Sequence, residues 1–241
     1  MTLTNARRRE VVGLNPNLLV WAREDAGLTI AEASSELGVS EERLLAFESG
    51  HANPTHGQLA KMEKTYQHSR LMFYMGHIPA PGPDAEFREP PMECSPRQAG
   101  LIRGLLRQVY VMQIRVNSLL EDEAWEGRYN DRDDREPITA IGNLDDTDFD
   151  SLRQRAENHG VFVILKGNLA DKFMAIGQRA IEKKTWVDPA VFQGYAIPDD
   201  TAPFIIINVH LDKKDYLAVL KNGINQILSG QPGFLTKEDT K

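Results

Sequence analysis

The chain has 241 residues, 41% of them hydrophobic, with 28 Lys and Arg against 35 Asp and Glu and a formal net charge of −7 at pH 7. This is enough apolar material for packed cores, and it excludes a global basic field for polyanions, so any nucleic-acid contact has to be local. The one cysteine, Cys94, excludes an intrachain disulfide, and with no apolar run near the roughly 18–20 residues of a membrane helix and no apolar stretch in MTLTNARRREVVG, a cytoplasmic protein without membrane contact is expected.

Residues 1–76 are dense in helix punctuation. Asn15-Pro16 reads as an N-cap followed by proline at the first helical position, Leu18, Leu19, Ala22 and Ala26 follow at helical spacing, and Gly27 stops the helix. Thr29-Ile30-Ala31-Glu32 fits a capping box for a second helix that ends at Leu37-Gly38. Ser40 caps residues 41–49, and Gly50 terminates them. Thr55-His56-Gly57-Gln58 starts another helix with Leu59, Met62 and Tyr66 on its inner face, and LMFYMG (71–76) closes a five-helix bundle.

Residues 77–95 are proline-rich and read as a linker. Ser95-Pro96 opens a long helix with the stripe Ile102, Leu105, Leu106, Val109, Met112, Val116, Leu119 and Leu120. Residues 121–150 hold twelve acids against three arginines, a solvated connection. Further on, strands are expected at 160–165, 194–197 and 203–208, and helices at 148–158, 169–183 and 211–229. The expected fold is α+β and mostly helical. Its parts are a helical bundle at 1–76, a linker at 77–95, the long helix and acidic connection at 96–136, and a small α+β domain at 137–241.

Two short helices joined by Gly38-Val39-Ser40 inside a bundle match a helix-turn-helix. The stretch TIAEASSELGVSEERLLAFESGHANPT (29–55) resembles the phage-repressor-like, or Xre, class in Thr29, Ala33, Leu37-Gly38-Val39-Ser40, Leu44, Phe47-Glu48, Gly50 and Pro54-Thr55. The resemblance covers roughly residues 14–76 and implies a double-stranded DNA operator as partner, bound by a homodimer. Candidate contacts are Thr29, Ile30, Ser40, Glu41, Glu42, Arg43, Leu45, Ala46, Asn53 and Thr55. The cluster Arg7-Arg8-Arg9 reads either as an arm on the backbone or in a minor groove, or as a solubilising tail. The chemistry of the second helix is unusual for DNA. Glutamate accepts from cytosine N4 but repels phosphate, leucine and alanine meet only a thymine methyl, and Arg43 is its one strong phosphate or guanine ligand. That surface suits a protein partner, such as a toxin or another regulator, as well.

The segments HGVFVILKGNL (159–169), VDPAVFQGYAIPDDTAPFIIIN (187–208) and 209–230, with EFREPP before them, resemble the ImmA/IrrE zinc-peptidase family, with 170–186 as an insertion. The resemblance implies a truncated zincin-like scaffold on which the two ligand histidines of H-E-x-x-H fall at Asn222 and Gln226 and the catalytic glutamate at Gly223. Amides are poor zinc ligands, and glycine supplies no general base. The downstream helix carrying a third ligand is expected to be missing. No H-x3-H pair exists among His51, His56, His68, His77, His159 and His210, and no P-loop, GxGxxG or GxSxG occurs. The expectation is therefore no enzyme, no metal and no cofactor, and a degenerate domain used for dimerisation or sensing in a transcriptional regulator of the antitoxin or mobile-element kind. A protein-interaction module with little DNA affinity is the alternative, and an active metallopeptidase a remote one.

Overall fold

Local capping decides where the helices begin. In α1 (Pro16–Asp25), Asn15 Oδ1 accepts from the Asn17 amide at 3.1 Å. In α2 (Ile30–Leu37), Thr29 Oγ1 accepts from the Glu32 amide at 3.2 Å while the Glu32 carboxylate accepts from the Thr29 amide at 2.8 Å, which completes the capping box. Gly38 at φ +70° ends α2 in the left-handed region, and Lys61 Nζ donates to the Leu37 carbonyl at 3.0 Å. Ser40 caps α3 (Glu41–Glu48) and Thr55 caps α4 (His56–Tyr66). The expected fifth helix is a 3-10 turn, Arg70–Tyr74, whose Phe73 is buried. Leu18, Leu19, Ala22, Ala33, Leu37, Leu44, Phe47, Leu59 and Met62 form the core between them. An ion pair lies within this core: Arg23 is 9% exposed, with Nε 2.8 Å from Glu48 Oε1 and Nη2 3.1 Å from Oε2.

The computed structural model describes residues 9–80, 89–91, 93–125, 138–169 and 185–237. The chain divides into two compact units, Met1–Pro83 with Pro90–Gly104, and Asp84–Glu89 with Leu105–Lys241. The long helix α5 (Pro96–Trp125) starts on a Ser95 cap, Oγ accepting from the Gln98 amide at 3.2 Å. Its first turns belong to the first unit. Gly100 packs so tightly against the end of α1 that a Cβ would sit 2.2 Å from the Ala26 carbonyl oxygen. Arg97 and Arg103 donate to the Ala26 and Asp25 carbonyls at 3.1 and 2.7 Å, filling the free acceptors at the α1 C-terminus. The apolar stripe of α5 fades along its length. Ile102, Leu105, Leu106 and Val109 are buried, Met112, Val116 and Leu120 are half-buried, and Leu119 is 62% exposed.

In the second unit, α6 (Phe149–Asn158), capped by Asp148, leads into β1 (Phe162–Leu165); β2 (Gly194–Ile197), β3 (Phe204–Ile207), α7 (Tyr216–Ser229) and β4 (Gly233–Leu235) follow. The sheet order is β1-β3-β2-β4, with β1 parallel to β3 and the other two pairings antiparallel. The apolar run FIII is central because both its faces are covered. Ile205 and Ile207 pack with Val163, Ala196, Val219, Leu220 and Ile224, and Phe204 and Ile206 point the other way, with Phe204 stacked on Phe162 at 4.9 Å. Asn208, fully buried at the end of β3, donates to the Val187 and Phe192 carbonyls at 3.0 and 2.8 Å and accepts from the His210 amide at 3.0 Å. That pins the 187–192 loop beside the helix that follows.

One sequence expectation of this part comes out differently. The third helix, expected from 211, opens as a 3-10 turn at Lys213–Asp215 and becomes α-helical at Tyr216. Strand β4 had no counterpart in the sequence reading. Residues 170–183 of the helix expected at 169–183, residues 126–137 of the acidic connection, and Arg7 and Arg8 lie outside the described residues.

Candidate nucleic-acid interface and the 222–226 positions

Helix α2, the turn at Gly38-Val39-Ser40 and helix α3 form the helix-turn-helix. Leu44 and Phe47 turn into the core, which leaves Glu41, Glu42 and Leu45 outward, Leu45 50% exposed, with Ala46 half-buried beside them. Thr29 and Ser40 are exposed but occupied as N-caps. Thr55 caps α4, accepting from the Gln58 amide at 3.2 Å, and Ile30 and Asn53 are half-buried. The Glu42 carboxyl is held below the usual carboxylate range by its own amide and the Ser40 hydroxyl, so it stays charged at the helix start.

Arg43 does not stand out in front of this face. Its Nη2 lies 3.4 Å from Glu10 Oε1 and its guanidinium sits 4.9 Å above the Phe47 ring centroid. Glu10 is held there by a short antiparallel pairing, in which the Val11 amide donates to the Pro54 carbonyl at 2.8 Å and the His56 amide to the Arg9 carbonyl at 3.2 Å. The same pairing brings exposed Arg9 beside the 51–56 turn, with exposed His51 and His56. The front of α3 is thus acidic and apolar, and the Arg9 side chain lies along its N-terminal-arm flank. Sequence reasoning found the α3 residues but missed Glu10, because the pairing of 9–11 with 54–56 joins segments far apart in sequence and carries no local signal.

Asn222, Gly223 and Gln226 all face the segment from Gly233 to Thr236. Asn222 Nδ2 donates to the Thr236 carbonyl at 3.4 Å. A Cβ on Gly223 would come within 2.8 Å of Ile205 Cγ2 and 3.0 Å of Leu235 Cδ1. Gln226 Oε1 lies against Gly233, 2.7 Å from where a Cβ would be. Leu235 and Gly233 therefore fill the space in front of these residues, and the donors on offer are amides. This set does not suit zinc, which takes imidazole, thiolate or carboxylate. Among the described residues no three or more His, Cys, Asp or Glu side chains cluster with the geometry to hold a metal ion. The nearby His210 ring stacks on Trp186 at 4.0 Å, and burial lowers its pKa.

No helix among the described residues is long and apolar enough to cross a membrane. No curated protein and no solved structure matches the chain. A helix-turn-helix family model matches residues 19–70, from within α1 to the 3-10 turn, and supports the Xre-type helix-turn-helix resemblance of this part of the chain.

Proposed function

We propose that the chain is a sequence-specific DNA-binding transcriptional regulator that docks α3 on a double-stranded operator as a homodimer. The observation that carries this reading is the match over residues 19–70 together with an α3 whose front residues, Glu41, Glu42, Leu45 and Ala46, are free of the core. Sequence is read by these side chains, with thymine methyls and cytosine amines as their chemical complements. Phosphate contact falls to the flank, where Arg9, His51, His56 and the α4 N-terminus with its Thr55 cap lie. A gel shift on tiled DNA from the chain's own upstream region, repeated across a salt series, tests the reading. Binding that weakens with salt supports it, because each phosphate neutralised steepens the slope by about 0.9. No shift on any tile at low salt overturns it.

The second unit is a peptidase-like scaffold that does not hydrolyse peptides. Gly223 in place of a base, amides in place of ligands, and Leu235 seated against them support this. Zinc at one ion per chain, with proteolysis lost in Asn222→Ala, would refute it.

A second reading is a protein-interaction module. The engagement of Arg43 by Glu10 and Phe47, which leaves the front of α3 acidic, favours it. If DNA binding is absent and a basic partner binds chains whose Glu41 and Glu42 are intact but not Glu41→Lys, Glu42→Lys, this reading replaces the first.

A further inference from the structure

The N-terminal arm carries a carboxylate to α3 and anchors it there. Val11, 3% exposed, is part of the core of the first unit. Its amide bonds to the Pro54 carbonyl, and the Arg9 carbonyl accepts from the His56 amide. Glu10 lies between these two bonds, opposite Thr55, so its side chain leaves the arm at a fixed point. Its Oε1 lies 3.4 Å from Arg43 Nη2. Helix α3 has one cation, Arg43, against Glu41, Glu42 and Glu48, and Glu48 is engaged by Arg23 in the core. The side chains of Arg43 and Glu10 are 45% and 57% exposed, so the contact is open to solvent. Beside it lie exposed Arg9 and the α4 N-terminus, groups that suit a phosphate.

We propose that Arg43 is a phosphate-binding residue whose ligand in the free chain is Glu10, and that Glu10 sets the affinity of the helix-turn-helix for DNA by holding the place of a backbone phosphate until a duplex docks. The inference rests on the DNA-binding reading above. A guanidinium fork takes a carboxylate and a phosphate alike, so one anion exchanges for the other on the same donors. The exchange needs only a turn of the Glu10 side chain. The Arg43 guanidinium keeps its seat 4.9 Å above the Phe47 ring centroid, and the arm keeps its backbone bonds to Pro54 and His56. An exposed pair of this kind holds Arg43 back by about 1.5- to 5-fold in affinity, weak enough for a phosphate to displace the carboxylate. A different role for Glu10, plain repulsion of the DNA by its charge, would act without Arg43 and would grow once Arg43 no longer offsets it.

The test titrates the full chain against a fluorescein-labelled duplex that shifts in the tiled series, by fluorescence anisotropy across several salt concentrations, with circular dichroism as the check on folding. Glu10→Gln is expected to bind about 1.5- to 5-fold tighter, with a salt slope steeper by up to about 0.9, because Arg43 is then not neutralised in the free chain. Glu10→Asp keeps the charge but is one carbon–carbon bond too short to hold the contact, and it is also expected to bind tighter. Arg43→Gln is expected to bind more weakly, and adding Glu10→Gln to it restores little. A gain from Glu10→Gln that is as large or larger in the Arg43→Gln chain, with none from Glu10→Asp, overturns the proposal and makes Glu10 a simple repulsive charge. So does unchanged or weaker binding by Glu10→Gln, and in both cases the DNA-binding reading stands. Absence of binding by the wild-type chain and by Glu10→Gln on every tile at low salt is the failure of that reading, and it takes this inference with it.

Discussion

Glycine in the middle of a helix ordinarily costs about 1 kcal/mol relative to alanine, so Gly223→Ala in an exposed helix would stabilise. Here the sign reverses. The new methyl would meet Ile205 Cγ2 at 2.8 Å and Leu235 Cδ1 at 3.0 Å, and both are core side chains with little room to retreat. Overpacking of this kind costs about 1–3 kcal/mol, so the net effect is a loss of up to about 2 kcal/mol. The loss falls on the second unit. Hydrogen exchange read by mass spectrometry on fragments spanning 204–207 and 216–229 measures it without assuming that the whole chain unfolds in one step. Asn225→Ala, at an exposed position of the same helix, is the control and is expected to stabilise by a few tenths of a kcal/mol. Leu235→Ala alone costs about 2–5 kcal/mol, but combined with Gly223→Ala it costs less than the sum, because it removes one of the two collisions. If Gly223→Ala stabilises as much as a surface alanine would, the close packing of α7 on β3 and β4 is wrong, and so is the account of why a glycine stands there.

Other outcomes follow from the same physics. Glu48→Ala leaves the Arg23 guanidinium buried without its carboxylate and is expected to cost the helix-turn-helix unit about 3–5 kcal/mol, seen as a large drop in its urea midpoint. Thr29→Ala removes an N-cap and half of a capping box, for about 1 kcal/mol by the same measurement, while Leu45→Ala, at an exposed position that caps no helix, stays within about 0.5 kcal/mol yet alters DNA or partner binding. Burial lowers the His210 pKa, so the folded state resists the proton that the unfolded chain takes up near pH 6.5. This stabilisation is present above that pH and is lost as pH falls through it toward the lower folded value. His210→Phe keeps a ring on Trp186 and is expected to flatten this part of the exchange-detected stability profile.

Much of the first unit is legible because its signals are local. Asn15, Thr29, Ser40 and Thr55 announce helix starts within three residues of the bonds they make, and Gly38 announces an end. The last apolar segment, 71–76, was readable as helical but not as 3-10, since one turn of either looks alike in hydropathy. In the second unit, the strands FVIL, GYAI and FIII stand out as apolar runs between turn residues. Strand β4 does not, because three residues with a glycine and a proline before them read as a loop; only the Gly194 and Gly223 notch makes GFL a strand. The 222–226 positions were read as losses. In the structure each of the three faces the segment from Gly233 to Thr236, so Gly223, costly for the helix alone, is what lets Leu235 and Ile205 approach it. The Arg43–Glu10 pair was hidden for the opposite reason: both residues were visible, and nothing local joins them.

The central claim, that α3 reads a DNA sequence, is tested most directly by selecting bound duplexes from a random library with the purified chain and sequencing them. The expected result is a dyad-symmetric motif whose half-sites lie about one helical turn, 10–10.5 base pairs, apart, lost in Leu45→Lys, Ala46→Lys while circular dichroism is unchanged. A selected pool indistinguishable from the starting library, with the chain folded and monodisperse, would contradict it.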